Sequence, residues 1–316
     1  MNLHKNEKSF QDAIRAASDH LGIRDVFVEK DYWVTFLLRR LSLSENSENV
    51  VFKGGSSLSK VYKLIDRFSE DVDLAILKKD GQSKYQVGKL IRSIQKELTK
   101  GFKEVYLKGV TSQKKNFRKT AYDYNRIIDS DSGIKDKLIL EINSFADPVP
   151  FEKQSVNSMI AQFLSETGNE KAIEQYNLES FKLNVLVPKS TLIEKVLSMI
   201  RLSHYKDNID RIKGKVRHFY DLYFLLNSKM CKDYLTTEEF KDDFKKMYEE
   251  DKTKFNDPEK WFKSNYSESP IFESFDEIWS KVKDTYETDF KLLVHGEFPE
   301  EKQISEKFKE IIEILK

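Results

Sequence analysis

The sequence predicts an α+β fold, in which a mixed sheet flanked by helices is followed by a C-terminal helical bundle domain. In the first half of the chain, stretches with an apolar residue at every second position are interspersed with helical patterns. From Pro188 onward the helical spacing continues, and strand-like alternation is absent. The length of 316 residues also suits about two domains of roughly 150 residues each. We therefore expect one domain at 1–187 and a helical domain at 188–316.

Each element follows from its spacing. In the second predicted helix, Trp33, Phe36, Leu37 and Leu41 recur at intervals of three or four, which is typical of one buried stripe. Helices are predicted over 10–21, 26–41, 57–64 and 85–98 in the first domain, and over 190–204, 213–226, 236–249, 271–283 and 304–315 in the second. Strands are predicted over 49–52, 71–77, 102–111, 117–128 and 137–143. The consecutive strands at the end of this series indicate an antiparallel part of the sheet.

Composition excludes several classes of protein. Hydrophobic residues make up 39% and charged residues 34%, with 11 Gly and 6 Pro, which excludes collagen-like, low-complexity and fully disordered chains. The formal net charge of +1 gives no overall field for a polyanion, so any nucleic-acid contact requires a local patch. A single cysteine, Cys231, a polar N-terminus and no long apolar run predict a cytoplasmic protein without a membrane segment.

The most informative stretch is 51–77. A predicted strand leads into Gly54–Gly55, where the missing side chains permit a tight turn and close approach of a ligand to the backbone. Ser56 and Ser57 then open a predicted helix whose free N–H groups can receive a phosphate. The chain returns as a strand that carries Asp71 and Asp73.

Alternation along that strand places the side chains of Asp71 and Asp73 on one face, about 7 Å apart. Two such carboxylates can hold Mg²⁺, which prefers oxygen ligands from Asp and from phosphate. Phosphoryl transfer requires ions of this kind to neutralise charge on the reacting oxygens.

Each half of this motif has an ordinary interpretation. A Gly-Gly pair is usually a turn, and an Asp-x-Asp is usually a solvated edge or a helix-cap neighbourhood. Their combination, in the order strand, GGSS, helix, strand, DxD, is much more specific. The stretch is not a P-loop, because Gly55 is followed by SSLSK, and the kinase signatures are missing from the sequence.

With these residues, the sequence resembles the nucleotidyltransferase superfamily related to DNA polymerase beta, and more narrowly the AbiEii/AbiGii toxin family, which includes the MenT-type toxins. The resemblance covers about residues 29 to 226. Its segments are EKDYWV at 29–34, FKGGSSLSK at 52–60, RFSEDVDL at 67–74, TLIEK at 191–195 and RHFYDL at 217–222.

The superfamily has a third acidic residue on a later strand, which we seek in 138–143. Alternation there puts Leu138, Leu140 and Ile142 on one face and Glu141 on the other. Glu141 is therefore the preferred candidate. Asp147 is a weaker one, because it precedes a proline and is explained by the start of a turn.

The resemblance implies that Asp71, Asp73 and Glu141 hold one or two Mg²⁺ (or Mn²⁺) ions. It also implies that Gly54, Gly55, Ser56 and Ser57 bind the triphosphate of an incoming NTP. Ser69, two residues before Asp71, shares that strand face and is added to the predicted nucleotide-binding residues.

The resemblance further implies that Lys195 and Asp221 are needed for activity, and that Lys195 contacts the nucleotide phosphates. Without it, Lys195 would be an ordinary solvated helix lysine, and Asp221 would form an i,i+4 ion pair with Arg217. Lys30 is a further site candidate, although its segment is also explained as the charged first turn of a helix.

Two stretches are locally basic. One, over 201–217, has six basic residues against two acidic ones, and the other, over 103–119, has six against one. Tyr122 and Tyr124 follow the second stretch and could stack bases. Such patches attract the phosphate backbone of RNA, while a lysine-rich soluble surface explains them equally well.

These observations predict a metal-dependent nucleotidyltransferase that transfers a nucleotide from an NTP to an acceptor. By the resemblance, the acceptor is RNA such as the 3′ end of tRNA, and the protein is the toxin of a toxin–antitoxin or phage-defence system, restrained by an antitoxin protein. Two alternatives stay open. One is a GTP-binding or partner-binding module without turnover, and the other is a small-molecule nucleotidyltransferase of the kind that modifies antibiotics.

Overall fold

A computed structural model describes the chain except for residues 70, 130–135, 146–147, 256 and 259–260 and the side chain of residue 262. Asp147, the weaker candidate for the third carboxylate, lies outside the described residues. The chain forms two compact units, the first made of 1–62 and 68–186, the second of 63–67 and 187–316. The short segment 63–67, which we had assigned to the first domain, packs within the second unit. The division into domains at residue 187 stays a prediction.

An eight-stranded mixed sheet forms the centre of the first unit, in agreement with the predicted fold class. In chain order its strands are β1 (Val50–Lys53), β2 (Asp71–Ile76), β3 (Lys103–Val105), β4 (Ser112–Lys114), β5 (Phe117–Asp123), β6 (Leu138–Asn143), β7 (Phe151–Val156) and β8 (Phe181–Leu186). Their order across the sheet is β3–β5–β6–β2–β1–β8–β7, and β4 also pairs with β5. The pairs β2/β6 and β1/β8 are parallel, and the other neighbours are antiparallel.

Helices pack against one face of this sheet. The helices of the first unit are α1 (Glu7–Leu21), α2 (Asp25–Ser42), α3 (Gly54–Lys60), α4 (Lys84–Leu98), α5 (Met159–Glu166) and α6 (Glu170–Tyr176). The core contains alternate strand residues such as Val72 and Leu140 together with Trp33 and Leu37 of α2. Because side chains alternate along a strand, the residues between them, including Asp71 and Glu141, belong to the opposite face.

The second unit is built from helices. They are α7 (Pro188–Ser203), α8 (Asn208–Lys213), α9 (Arg217–Asn227), α10 (Lys229–Leu235), α11 (Glu238–Lys254), α12 (Pro270–Glu273), α13 (Phe275–Thr285) and α14 (Glu301–Leu315). Aromatic rings fill its interior: the ring centroid of Phe308 lies 4.8 Å from that of Phe275 and 5.0 Å from that of Phe219. In the described part of the chain, no helix is both long and apolar enough to cross a membrane.

Several predicted elements are wrong in extent. The strand predicted over 102–111 is limited to Lys103–Val105, and that over 117–128 ends at Asp123. The helix predicted from residue 57 starts at Gly54. The two helices predicted over 213–226 and over 271–283 are both interrupted in the structure. The sequence analysis also missed β4, β7, β8, α5, α6 and α10. Most of these short elements carry neither clear alternation nor a long helical stripe, but β8 does alternate, with Phe181, Leu183 and Val185 at every second position.

Candidate active site

Charged residues form one row across four neighbouring strands of the sheet. Lys53 of β1 lies opposite Asp73 of β2, Asp73 lies opposite Glu141 of β6, and Glu141 lies opposite Lys119 of β5. Residues that lie opposite each other project from the same face of a sheet. Asp71, two positions before Asp73, projects from that face as well. The topology therefore gathers three carboxylates that are separated by up to 70 residues in the chain.

Two of these carboxylates converge on one cation, the ammonium group of Lys119. Its Nζ lies 3.2 Å from Asp71 Oδ2 and 3.2 Å from Glu141 Oε2. Only 4% of the Asp71 side chain is exposed, compared with 18% for Lys119 and 22% for Glu141. Burial lowers the pKa of Lys119, but the negative charges of Asp71, Glu141 and Asp73 outweigh it and raise the pKa above its usual range. Lys119 is therefore charged and acts as the counter-ion of this row.

Gly54 lies directly against the carboxylate of Asp73. Its φ of +81° is in the left-handed region, which a residue with a Cβ adopts at a cost. A Cβ at this position would stand 2.4 Å from Asp73 Oδ2, well inside van der Waals contact. Both the turn after β1 and the close approach of Asp73 consequently require glycine at position 54.

The two serines of the GGSS turn are buried, and their hydroxyl groups bond within the protein. Ser56 Oγ lies 2.8 Å from Ser69 Oγ and donates to the backbone carbonyl of Asp71. Ser57 Oγ donates to the carbonyl of Gly54 at 2.9 Å. The bonds of Ser56 tie α3 to the start of β2 and place Ser56 and Ser69 beside Asp71, whereas the bond of Ser57 stays within α3. The predicted contact of these residues with a nucleotide stays a prediction.

The donor chemistry of the row fits a divalent cation such as Mg²⁺. Lys119 marks a point that oxygens of Asp71 and Glu141 reach from two different strands. In proteins Mg²⁺ is usually bound by one or two carboxylates and completes its shell with water and substrate phosphates. Among the residues that the structure describes, no group of three or more His, Cys, Asp or Glu side chains is arranged to hold a metal. The predicted metal site of Asp71, Asp73 and Glu141 stays a prediction.

Lys30, another predicted candidate, is fully buried in α2 and donates to the backbone carbonyl of Lys137. The acidic residues on both sides of it also have partners within the protein. Glu29 accepts the backbone N–H groups of two residues before β6, and Asp31 Oδ1 receives Lys60 Nζ at 2.5 Å. These contacts give the charged run 29–31 a structural role that connects α2 to its neighbours.

The predicted residues Lys195 and Asp221 lie in the second unit, where they form a buried ion cluster with Arg67. Asp221 Oδ2 lies 2.6 Å from Lys195 Nζ and 2.7 Å from an Arg67 terminal nitrogen, and Asp221 Oδ1 lies 2.5 Å from Arg67 Nε. The exposed fractions of the side chains are 0% for Asp221, 2% for Arg67 and 7% for Lys195. The i,i+4 interpretation of Asp221 did not foresee these partners.

Electrostatic interactions within the cluster keep the carboxylate of Asp221 ionised. Burial favours a neutral Asp221, but Arg67 and Lys195 outweigh it and lower the pKa of the carboxyl group to about 2. Burial lowers the pKa of Lys195, and the charge of Asp221 opposes that change. His218, one helical turn before Asp221, has a pKa well below its usual value because of burial and the nearby charge of Lys195. The partners of the Asp221 carboxylate are therefore Arg67 and Lys195, and His218 adds no positive charge to them.

Sequence reasoning missed two of these functional candidates, Lys119 and Arg67. Lys119 lies within a predicted strand, and its place opposite Glu141 depends on the register of two strands. Arg67 is part of the RFSEDVDL segment, but 154 residues separate it from Asp221. Alternation along 117–123 was the available signal for Lys119, whereas the spacing of residues carried none for Arg67.

The mixed sheet and the row of charged residues place this chain among proteins whose carboxylates lie on neighbouring strands beside a glycine turn. The family described as "Nucleotidyl transferase AbiEii toxin, Type IV TA system" matches residues 35–312, and the chain belongs to this family. The resemblance seen in the sequence is thereby confirmed, and the match continues beyond residue 226, where the recognised segments end.

A solved structure similar to this chain is that of MenT4, a nucleotidyltransferase toxin from Mycobacterium tuberculosis H37Rv. The two sequences are 13% identical, and the superposition covers 96% of this chain and 89% of that chain with a TM-score of 0.48. No curated protein sequence matches the chain significantly.

Proposed function

We propose that the protein is a metal-dependent nucleotidyltransferase that transfers a nucleotide from an NTP to RNA, such as the 3′ end of a tRNA. In this proposal it is the toxin of a toxin–antitoxin or phage-defence system, acts in the cytoplasm and is restrained by an antitoxin protein. Membership of the nucleotidyltransferase toxin family supports the class of reaction. The observation that carries the proposal is the convergence of Asp71 and Glu141 on one cation, next to the Gly54 turn.

The residues of the row have distinct roles in this proposal. Asp71 and Glu141, with Asp73 nearby, hold Mg²⁺ or Mn²⁺, which when bound neutralises charge on the phosphates of the nucleotide. Glu141 also accepts the proton of the acceptor hydroxyl, because it is more exposed than Asp71 and an acceptor can reach it more easily. Gly54 keeps the backbone close to Asp73 and leaves room for a phosphate.

The remaining predicted residues serve nucleotide binding. Backbone amides at Gly55 to Ser57 receive the triphosphate, and Ser69 orients Ser56 through their hydrogen bond. Lys195 is needed for activity in this proposal, as the resemblance implies, and Asp221 holds its ammonium group in place. Asp221 is therefore a positioning residue in this proposal.

The test is a transfer assay with each of the four NTPs, labelled at the α-phosphate, together with total RNA and Mg²⁺. We expect the wild type to label RNA with one or more NTPs. Asp71→Asn should reduce labelling by about a thousandfold, since a metal site contributes several kcal/mol to the transition state. The matched control is Asp80→Asn at an exposed turn, which should label RNA like the wild type. Thermal melting checks that both variants fold.

Two results contradict the proposal: no transfer with any NTP, and equal transfer by Asp71→Asn. Recovery of tightly bound, intact GTP after long incubation would favour the binding-module alternative. Labelling of an aminoglycoside in place of RNA would favour the small-molecule alternative.

A further inference from the structure

Positive charge is concentrated in one segment of the chain. Residues 84–119 contain 11 Lys and Arg side chains and two acidic ones, Glu97 and Glu104, which gives this segment a formal charge of +9. Because the whole chain carries +1, the other 280 residues together carry −8. The near-neutral total therefore conceals a strong separation of charge.

The fold presents part of this charge as a stripe on α4. Tyr85, Lys89, Arg92 and Lys96 follow each other at helical intervals of four, three and four residues, and all four side chains are exposed. Apolar residues on the other side of α4, such as Ile91, are buried in the core. The stripe is thus the solvent-exposed face of α4, whose opposite face packs in the core.

The turn between β4 and β5 extends the stripe. A Cβ added to Gly88 of α4 would stand 2.9 Å from the backbone oxygen of Lys115 and 3.6 Å from a terminal nitrogen of Arg92. Glycine at position 88 therefore lets the turn pack directly on the helix. The backbone of Lys115 consequently lies against α4 near Arg92, and the exposed Lys114 and Lys115 add to the charge of the stripe. We call the set Tyr85, Lys89, Arg92, Lys96, Lys114 and Lys115 the basic surface.

The lysines of the basic surface differ from those of the second unit. Within the described residues, none of its five basic side chains forms an ion pair with an acidic residue. Exposed lysines of the second unit do so regularly, as in Lys241–Glu238, Lys281–Glu277 and Lys302–Glu306. A lysine-rich soluble surface explains the mixed pattern of the second unit, but it does not explain the separation of charge on α4.

The other sequence-predicted features of an RNA interface fit less well. Tyr122 is only 2% exposed and accepts a hydrogen bond from Gln95, so the expectation that it stacks bases is wrong. Tyr124 packs against Trp33. In the basic stretch 201–217, Arg201 pairs with Asp251 and Arg211 pairs with Asp207. Tyr85, which is 74% exposed, is the aromatic residue available to a base on the basic surface.

We propose that the basic surface binds the RNA acceptor, with its basic side chains on the phosphate backbone and Tyr85 against a base. The proposal rests on the function proposed above. It connects to the candidate active site through β5, because Lys119 follows Lys115 by four residues and reaches the carboxylates. Because α4 packs on the face of the sheet opposite the row, RNA bound on the basic surface would reach the row around the end of the sheet where the β4–β5 turn lies.

The experiment measures binding of a fluorescently labelled tRNA transcript to the nucleotide-free protein by anisotropy, over a series of salt concentrations. The test variant is Lys89→Gln/Lys96→Gln/Lys115→Gln. The matched control, Lys241→Gln/Lys281→Gln/Lys302→Gln, removes the same charge from the second unit. We expect the test variant to bind at least about tenfold more weakly and to lose about two to three units of salt slope, as for three lost phosphate contacts. The control should bind like the wild type.

Equal weakening in both variants, or in neither, would overturn the inference, as would absence of tRNA binding by the wild type. Competition by polyglutamate at the same concentration of charge as tRNA would also overturn it, because the surface would then be one for acidic proteins. Asp71→Asn separates the two proposals: it should bind tRNA normally, while its transfer activity falls by about a thousandfold as above. Normal binding by the wild type without any transfer would contradict the proposed function alone.

Discussion

Asp71, Glu141 and Lys119 come from three adjacent strands of the first unit, and two of them, Glu141 and Lys119, remain partly accessible. Asp221, Arg67 and Lys195, in contrast, come from three separate segments of the second unit, and all three are almost completely enclosed. The first set has more negative than positive charge, and the second has more positive than negative. A partly accessible set can exchange its cation with solvent. An enclosed set cannot rehydrate when one partner is lost, so it has greater consequences for stability.

The largest effect on stability is expected from Asp221→Asn. The substitution keeps the size of the side chain but leaves Arg67 and Lys195 buried without their anion. We expect the free energy of unfolding to fall by about 3–5 kcal/mol, the range for breaking a buried pair. Urea denaturation followed by circular dichroism measures the change.

The control for this comparison is Asp207→Asn, which removes the anion of an exposed i,i+4 pair with Arg211. Exposed pairs of this kind contribute little to stability, because solvent screens them. If Asp221→Asn were no more destabilising than Asp207→Asn, the buried cluster would contribute no more to stability than an exposed ion pair does.

A smaller effect is expected from Gly54→Ala, which tests how tightly the backbone surrounds the row. Gly81 has nearly the same φ, +77°, but nothing lies within 4 Å of its missing Cβ. Gly81→Ala should therefore cost about 1 kcal/mol for the backbone conformation alone. Gly54→Ala adds the collision with Asp73 and should cost about 2–4 kcal/mol in total. Denaturation and the transfer assay measure both variants.

Only Gly54→Ala is expected to lose transfer activity along with stability, since it displaces Asp73. Similar costs and similar activity for the two alanine variants would show that Asp73 moves aside freely, and the row would then be less rigid than its register indicates.

The same contrast explains what could be predicted from the sequence. Asp71 and Asp73 were placed correctly on one face of β2, and Glu141 was separated correctly from Leu140 and Ile142 on β6, because alternation within a strand is a local property. The position of Lys119 required the register between β5 and β6, and Arg67 required a contact across 154 residues, neither of which local patterns encode. β7 was missed for a related reason: its sequence, FEKQSV, lacks apolar alternation because the strand lies at the edge of the sheet.

The smallest effect on stability, and the most informative about the row, is expected from Lys119→Met, which keeps the length of the side chain and removes its charge. Because Lys119 is partly exposed, the metal-free protein should lose only about 1 kcal/mol, between the values for exposed and buried pairs. Removal of a competing cation within a few ångströms should strengthen Mn²⁺ binding by about tenfold. Titration calorimetry on the nucleotide-free protein measures this, and Lys119→Arg, which keeps the charge, should bind Mn²⁺ no more tightly than the wild type. Unchanged or weaker Mn²⁺ binding by Lys119→Met would mean that the ammonium group and the divalent cation do not compete for Asp71 and Glu141.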